Sequence, residues 1–407
     1  MTKKRYFFTV LILGALTALG PFSIDMYLPG FPAIAQSFHI TTARVSLSLS
    51  SFFVGISVGQ LLYGPLLDRF GRKRPLYIGL VLYIIASIGC YFAANIEQLI
   101  VLRFIQAVGS CAAGVASMAM VRDIFPLKDN AKIFALLILI LGASPMVAPT
   151  TGGYITAYWG WHLIFIILAV MALLILLAVI FFLPESHQPD PTYSLKPLPI
   201  LNSFWSVFKN PQFFTYTFTG AFAFAGLFVY VASSPLVFLE VFKVSQTNYG
   251  WIFDGLSIGF IGSSQVNNIL LKYFKSEQII MVSMLVQTII SILFVAGSLN
   301  DWFGIAGTIC MIFIVLCCVG ITNPNASALC LAPFAQNAGT AAALLGAIQL
   351  GLGAVASMGI SFFESHSALP MSGTMAFSAS IALIVLLIGR HFIVNKVQAS
   401  SQVAVGH

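Results

Sequence analysis

Long apolar segments recur along the whole chain, separated by short polar connections. Twelve of them are long enough to cross a bilayer, because a helix of about 20 apolar residues spans its hydrocarbon core. Charged residues make up only 8% of the sequence, whereas a soluble domain carries about 25%. A helix in lipid satisfies its own backbone hydrogen bonds. The pattern therefore predicts an all-α membrane protein with 12 transmembrane helices and excludes a soluble globular fold.

The predicted spans form two sets of six. They cover 6–30, 43–66, 75–95, 98–121, 131–156, 161–183, 212–237, 247–270, 278–298, 301–323, 338–363 and 371–393. The longest polar interruption follows the sixth span. We therefore predict an N-terminal six-helix bundle over 1–183, a cytoplasmic linker over 184–210, and a C-terminal six-helix bundle over 211–407 that ends in a short cytoplasmic tail. Two such halves indicate an internal repeat with the substrate site near the midplane between them.

The basic residues predict the orientation of these helices. If the N-terminus is cytoplasmic, that side receives sixteen lysines and arginines, and the other side receives only Arg44 and Lys243. Cytoplasmic loops of membrane proteins carry such an excess. We therefore expect both termini in the cytoplasm. Because the loops account for the net charge of +7, we expect no nucleic-acid partner.

A charged residue inside a membrane helix costs at least about 2.5 kcal/mol. Three such residues stand out away from the ends of the predicted helices, namely Asp25, Arg103 and Asp254. With a rise of 1.5 Å per residue, all three lie in one layer on the extracytoplasmic side. A carboxylate there can exchange its partner between a proton, an arginine and a cationic substrate. We predict proton coupling by Asp25 and Arg103, and substrate binding by Asp25 and Asp254. Two alternatives stay open, namely a static Asp25–Arg103 ion pair that only positions helices, and an Asp254 that faces the aqueous boundary.

The connection between the second and third spans reads Gly64-Pro-Leu-Leu-Asp-Arg-Phe-Gly-Arg-Lys-Arg74. It resembles the signature of the major facilitator superfamily in its glycines, its aspartate and its basic cluster. Arg72 can reach Asp123 at the end of the fourth helix, and Asp68 can accept hydrogen bonds from a helix N-terminus. The two glycines let helices approach and the chain turn. The resemblance implies a cytoplasmic gate, to which we assign Gly64, Asp68, Arg69, Gly71, Arg72 and Asp123. The alternative for the basic cluster is a pure topology signal.

Two further stretches narrow the resemblance. The fourth helix reads Val101-Leu-Arg-Phe-Ile-Gln-Ala-Val-Gly109, in which Arg103 and Gln106 share one face. The fifth reads Gly142-Ala-Ser-Pro-Met-Val-Ala-Pro-Thr-Thr-Gly-Gly153 and is similar to the signature of the superfamily's antiporters, although Ser144 and Ala148 replace expected glycines. Prolines bend a helix. We therefore predict a helix hinge at Pro145, Pro149, Gly152 and Gly153.

With Ser23-Ile-Asp-Met-Tyr-Leu-Pro-Gly-Phe-Pro32 in the first helix, the chain looks most similar to the Bcr/CflA-type drug:proton antiporters. The resemblance implies the major facilitator fold of two six-helix halves in a bacterial inner membrane. It also implies efflux of drugs or related metabolites in exchange for protons. Besides Asp25 and Asp254, the predicted substrate-binding residues are Tyr27, Gln106, Phe224 and Tyr230.

The predicted partners are a small-molecule substrate, protons and membrane lipid, and we expect a monomer. Because P-loop spacing is absent, we expect the proton gradient to supply the energy without a cofactor. The histidines are scattered and the cysteines lack ligand spacing, which predicts neither a metal site nor an enzyme. The alternative function is a proton-coupled symporter that imports a sugar or an organic acid, because the same fold supports both.

Overall fold

The computed structural model describes residues 3–125, 127–190, 197–334, 338–360 and 367–393. Helices make up most of this part of the chain. They are α1 (Lys3–Asp25), α2 (Phe31–Phe38), α3 (Thr42–Phe70), α4 (Lys73–Tyr91), α5 (Ile96–Ile124), α6 (Leu127–Trp159), α7 (His162–Phe182), α8 (Pro197–Phe208), α9 (Pro211–Ser234), α10 (Gln246–Leu270), α11 (Ser276–Leu299), α12 (Ile305–Leu331), α13 (Ala338–Ile360) and α14 (Leu369–Phe392). A 3-10 turn, Leu28–Gly30, joins α1 to α2, and a π-helical turn, Pro235–Val241, continues α9.

Ten helical stretches among the described residues are long and apolar enough to cross a membrane, with α1 and α2 counted as one from Tyr6 to Phe38. The long helices α6 and α10, of 33 and 25 residues, lie at the fifth and eighth predicted positions. Together these stretches form the twelve transmembrane helices that the sequence predicts.

Polar caps set the start of several helices. The side chains of Thr41, Asn95 and Asn210 each accept a hydrogen bond from a backbone N–H in the first turn of α3, α5 and α9. These N–H groups have no partner within their own helix. The sequence therefore defines these helix starts locally.

Two predicted boundaries differ from the structure. Helix α12 continues past residue 323 to Leu331, because Pro324 is accommodated inside it. The predicted linker contains α8, which the sequence analysis did not predict. The helix begins at Pro197, and proline is favoured in the first turn of a helix. The predicted cytoplasmic tail after residue 393 lies outside the described residues.

The chain divides into two compact units. The first comprises Met1–Pro199 and Ser245–Asp254, and α5 lies at its centre against α1, α3 and α4. The second comprises Ile200–Val244 and Gly255–His407, and there α9 packs against α12, α13 and α14. Thus α5 in the first unit and α9 in the second each pack against at least three other helices.

Small residues permit the close packing of the first unit. A Cβ on Gly55 of α3 would lie 2.6 Å from the carbonyl oxygen of Phe104, and one on Gly109 of α5 would lie 2.6 Å from that of Gly79. Such contacts replace the hydrophobic effect, which does not drive helices together in lipid. They hold α3, α4 and α5 in the arrangement that positions Arg103.

Candidate functional site

Arg103 lies fully buried in the first unit. Its Nη1 donates a hydrogen bond to Oε1 of Gln106 at 2.7 Å, and its Nη2 donates to the carbonyl oxygen of Ser23 at 2.9 Å. Gln106 in turn donates from Nε2 to Oγ of Ser87 at 2.7 Å. These bonds connect α5 to α1 and α4.

Aromatic rings surround the Arg103 guanidinium. Its Cζ lies 4.2 Å from the ring centroid of Phe52, 4.6 Å from that of Tyr27 and 5.9 Å from that of Phe165. A desolvated cation gains about 2 kcal/mol or more from such a face, which offsets part of the cost of burial. Tyr27 also shares a hydrogen bond with Ser48 at 2.8 Å. Tyr27 and Gln106, both predicted to bind substrate, are therefore fully buried in the packing around Arg103.

Asp25 does not pair with Arg103, although the structure describes both residues. The direct ion pair that their shared depth suggested is therefore wrong. The physical reason is the rotation of α1: the hydroxyl of Ser23 faces Tyr83, and a residue two positions later points about 200° around the helix. Within the described part of the chain, the buried Asp25 carboxylate has no hydrogen-bond or ion-pair partner.

Asp254 lies in α10, within the part of that helix that belongs to the first unit. Its Oδ2 accepts a hydrogen bond from Oγ1 of Thr150 at 2.7 Å, while its buried Oδ1 has no hydrogen-bond partner among the described residues. The first unit therefore contains two buried carboxyl groups and no ion pair between either of them and a described cation.

Two glycines in α6 allow the elements that carry these acids to approach. A Cβ on Gly152 would lie 2.1 Å from the carbonyl oxygen of Met26, and one on Gly153 would lie 2.6 Å from that of Gln246. The first contact places α6 against the residue after Asp25, and the second places it against the start of α10. Gly152 and Gly153 are thus packing positions in this structure.

The proline residues of the same stretch, Pro145 and Pro149, lie inside the continuous helix α6. Their predicted role as a hinge, together with the two glycines, stays a prediction. Sequence reasoning missed Thr150 as the partner of Asp254. A hydroxyl inside an otherwise apolar helix was the available signal, since such groups commonly bond across membrane helices.

Arg72 joins two acidic residues at the predicted cytoplasmic end of the first unit. Its Nε donates to Oδ2 of Asp123 at 2.7 Å, as predicted, and its Nη1 donates to Oδ1 of Asp68 at 2.7 Å. Burial lowers the pKa of the Arg72 guanidinium, but the hydrogen bonds with Asp123 and Asp68 outweigh it and raise that pKa above its ordinary value. Arg72 therefore stays charged in this cluster.

Glu185 caps the N-terminus of α4, a contact that sequence reasoning missed. Its carboxylate accepts hydrogen bonds from the backbone N–H of Arg72 at 2.9 Å and of Lys73 at 3.1 Å. An anion is stabilised at a helix N-terminus by the helix dipole. Gly71 makes the preceding turn with a φ of +80°, and a Cβ there would lie 3.0 Å from the carbonyl oxygen of His187 and 3.2 Å from Oε2 of Glu185. An acidic residue directly after the sixth span was the signal for this contact.

Gly64, another predicted gate residue, lies in open space. A Cβ on Gly64 would meet nothing within 4 Å, so the prediction that Gly64 lets two helices approach is wrong. Arg69 is half-buried. Of the two signature glycines, only Gly71 lies close to another segment of the chain.

Phe224 and Tyr230 lie on α9 in the second unit. Phe224 packs against Phe228 and Phe260 at centroid distances of 5.2 and 6.2 Å, and Tyr230 is 1% exposed. Six residues correspond to about 240° around a helix. The two side chains therefore point in different directions and do not form one binding surface.

Comparison with known proteins decides the family. The sequence model of the Major Facilitator Superfamily matches residues 13–358. The chain belongs to the major facilitator superfamily. Among solved structures, the D-xylose-proton symporter has the same fold, with a TM-score of 0.73, 16% sequence identity, and coverage of 97% of this chain and 99% of that chain.

Curated relatives within the superfamily carry resistance names. A bicyclomycin resistance protein homolog from Haemophilus influenzae is 29% identical over 94% of this chain and 96% of its own length. The multidrug resistance protein MdtL from Shigella flexneri is 28% identical over 83% of this chain and 84% of its own length. This chain is therefore a major facilitator transporter related to Bcr/CflA-like drug efflux proteins.

Proposed function

We propose that this transporter exports drugs or related metabolites across the inner membrane in exchange for protons by alternating access. One observation carries the proton-coupling proposal. Asp25 and Asp254 are both buried in the first unit, where α6 contacts the residue after Asp25 through Gly152 and bonds Asp254 through Thr150, and neither acid has a paired cation among the described residues. The resistance names of the relatives support export. Symport with import of a sugar or an organic acid is the alternative that the experiment below must exclude.

The chemistry of exchange follows from electrostatics. Two carboxylates in an apolar layer repel each other, so a proton or a cationic substrate group beside them lowers the energy. Asp25 is free of hydrogen bonds among the described residues, whereas Thr150 holds Asp254 in one orientation. We therefore assign proton transfer to Asp25 and substrate contact to both acids. Tyr27, Gln106, Phe224 and Tyr230 remain candidate substrate ligands. Phe224 is half-buried, whereas the other three are buried and require a different conformation to become accessible.

Arg103 acts in this proposal as a positioning residue. It donates to the carbonyl oxygen of Ser23, two residues before Asp25, and so fixes the end of α1. A permanently charged guanidinium at this place also favours the anionic form of nearby acids through space. Coupling by Arg103 thus does not require direct contact with Asp25.

The cluster around Arg72 is the proposed gate on the cytoplasmic side. Charge-assisted hydrogen bonds at 2.7 Å tie Arg72 to Asp68 and Asp123, and Glu185 adds bonds from the segment after α7. Bonds of this kind are about twice as strong as neutral ones. Cytoplasmic termini, a monomeric state and a proton gradient as the sole energy source complete the proposal.

Inside-out vesicles test the direction of transport. In such vesicles, a pH gradient that is acidic inside drives protons outward, so an antiporter accumulates substrate. Bicyclomycin, chloramphenicol and a sulphonamide serve as probes, with vesicles from cells that lack the protein as control. Accumulation of any probe that collapses with the pH gradient supports the proposal. Accumulation of D-xylose or an organic acid only in right-side-out vesicles, driven by inward proton flow, would establish the symporter instead.

A further inference from the structure

An apolar groove of about 450 Å³ lies on the second unit, where α9 begins and α14 ends. Helix α8 closes its third side. Its apolar walls are formed by Trp205, Phe208, Phe214, Ile384, Ile388 and Phe392. The groove opens on the surface of the second unit, beside the start of α9 and the end of α14.

Packing between neighbouring elements shapes this groove. A Cβ on Gly389 would lie 2.4 Å from Oγ1 of Thr215, so α14 and α9 touch at its base. The rings of Trp205 and Phe208 stack with centroids 5.7 Å apart, and Phe208 meets Phe214 edge-on at 5.5 Å. The aromatic wall is therefore held together by ring contacts within the chain.

Helix α8 has the pattern of a helix that lies in a membrane interface. Leu201 and Trp205, one turn apart, are 61% and 56% exposed. Asn202, Ser203 and Ser206 supply polar neighbours on the same short helix. Amphipathic helices of this kind bury their apolar face at the boundary between headgroups and acyl chains, and tryptophan favours that boundary.

One basic residue lines the groove, and a second directly follows a lining residue along the chain. Lys209 lines it, with Nζ 5.4 Å from the centroid of the Trp205 ring. Arg390 follows the lining residue Gly389 in the last turn of α14 and is exposed. The lining contains no acidic residue.

We propose that this groove binds an anionic glycerophospholipid, with an acyl chain between α8, α9 and α14 and the phosphate at Lys209 and Arg390. Basic pockets beside membrane helices on the cytoplasmic side recognise anionic headgroups in this way. The net negative headgroup distinguishes the occupant from zwitterionic lipid. The proposed site is separate from the proposed proton site, because its residues belong to the second unit whereas Asp25 and Asp254 belong to the first.

Native mass spectrometry of the purified full-length protein tests this binding site. The protein in detergent is titrated with dioleoyl phosphatidylglycerol or dioleoyl phosphatidylethanolamine. We expect the wild type to prefer phosphatidylglycerol. The double variant Lys209→Gln with Arg390→Gln should weaken that binding about twenty-five-fold, since each basic residue contributes about a factor of five. Binding of phosphatidylethanolamine should stay unchanged.

Two further variants distinguish the effect of charge at the groove from the effect of charge elsewhere and from the effect of the groove's shape. Lys272→Gln with Lys275→Gln removes the same charge elsewhere on the predicted cytoplasmic side and should leave the preference intact. Ile388→Trp adds bulk from an exposed position in the groove and should weaken the binding of both lipids. A wild type without preference, or a control variant that loses as much as the groove variant, would overturn the proposal. If the groove double variant fails to fold, the wild-type preference and Ile388→Trp still decide.

Discussion

Oγ1 of Thr150 donates a hydrogen bond to Oδ2 of Asp254 at 2.7 Å and thereby links α6 to α10 within the first unit. The bond occupies one carboxylate oxygen and leaves the buried Oδ1 without a hydrogen-bond partner among the described residues. Asp254 therefore has a fixed orientation, but only one of its two carboxylate oxygens has a hydrogen bond that offsets the cost of burial. In the proposed exchange, this orientation lets Asp254 contact substrate while Asp25 takes up and releases the proton.

Substitution of Thr150 tests the orientation of Asp254. Thr150→Val keeps the side-chain shape but removes the hydroxyl, so it leaves the carboxylate oxygen unpaired at a cost of about 1 to 3 kcal/mol. We expect slower transport and a higher KM in vesicle uptake. Thr150→Ser keeps the donor and should transport nearly like the wild type. Equal transport by the valine and serine variants would show that the hydrogen bond has no part in transport.

Two glycines give a matched pair for the packing argument. Gly152→Ala places a Cβ 2.1 Å from the carbonyl oxygen of Met26, whereas Gly64→Ala meets nothing within 4 Å. Overpacking of this kind costs about 1 to 3 kcal/mol or more. Thermal unfolding in detergent should therefore show a lower Tm for Gly152→Ala and little change for Gly64→Ala. A Gly64→Ala variant as unstable as Gly152→Ala would contradict the assignment of the close approach to α6.

A double-mutant cycle measures the coupling between Arg72 and Asp123. Their side chains are 10% and 18% exposed, so we expect a coupling energy of about 1.5 to 3 kcal/mol in denaturant unfolding. The control pair is Arg44 and Glu97, which lie 2.6 Å apart but are 53% and 62% exposed. That pair should couple by less than about 1 kcal/mol. Similar coupling in both pairs would argue against a stabilising cluster at Arg72.

The sequence predicted features that depend on local signals. The length of the apolar segments predicted the twelve spans. The signature residues between the second and third spans predicted that Arg72 contacts Asp123 at the end of the fourth helix. What it did not predict depends on how each helix rotates about its axis. Asp25 and Arg103 share a depth but not a face, and the meeting of Thr150 with Asp254 requires the packing of α6 against α10. Residue spacing along one helix does not determine either arrangement.

Tyr27 tests the environment of Arg103. Tyr27→Phe keeps the ring at 4.6 Å from the guanidinium and loses the hydrogen bond with Ser48, at a cost of about 0.5 to 1.5 kcal/mol. Tyr27→Leu removes the aromatic face as well, which costs about 2 kcal/mol more. Thermal unfolding should rank the wild type above phenylalanine and phenylalanine above leucine. Equal Tm values for the two variants would show that the ring does not stabilise Arg103.

The role of Asp25 as proton carrier is tested most directly by Asp25→Asn in inside-out vesicles with an imposed pH gradient. The amide keeps the size of the side chain but cannot exchange a proton. We predict that the variant, present in the membrane at wild-type amount, loses gradient-driven accumulation and retains exchange of labelled for unlabelled substrate. Asp301→Asn, at an exposed turn, should accumulate substrate like the wild type. Gradient-driven accumulation by Asp25→Asn at the wild-type rate would contradict the assignment.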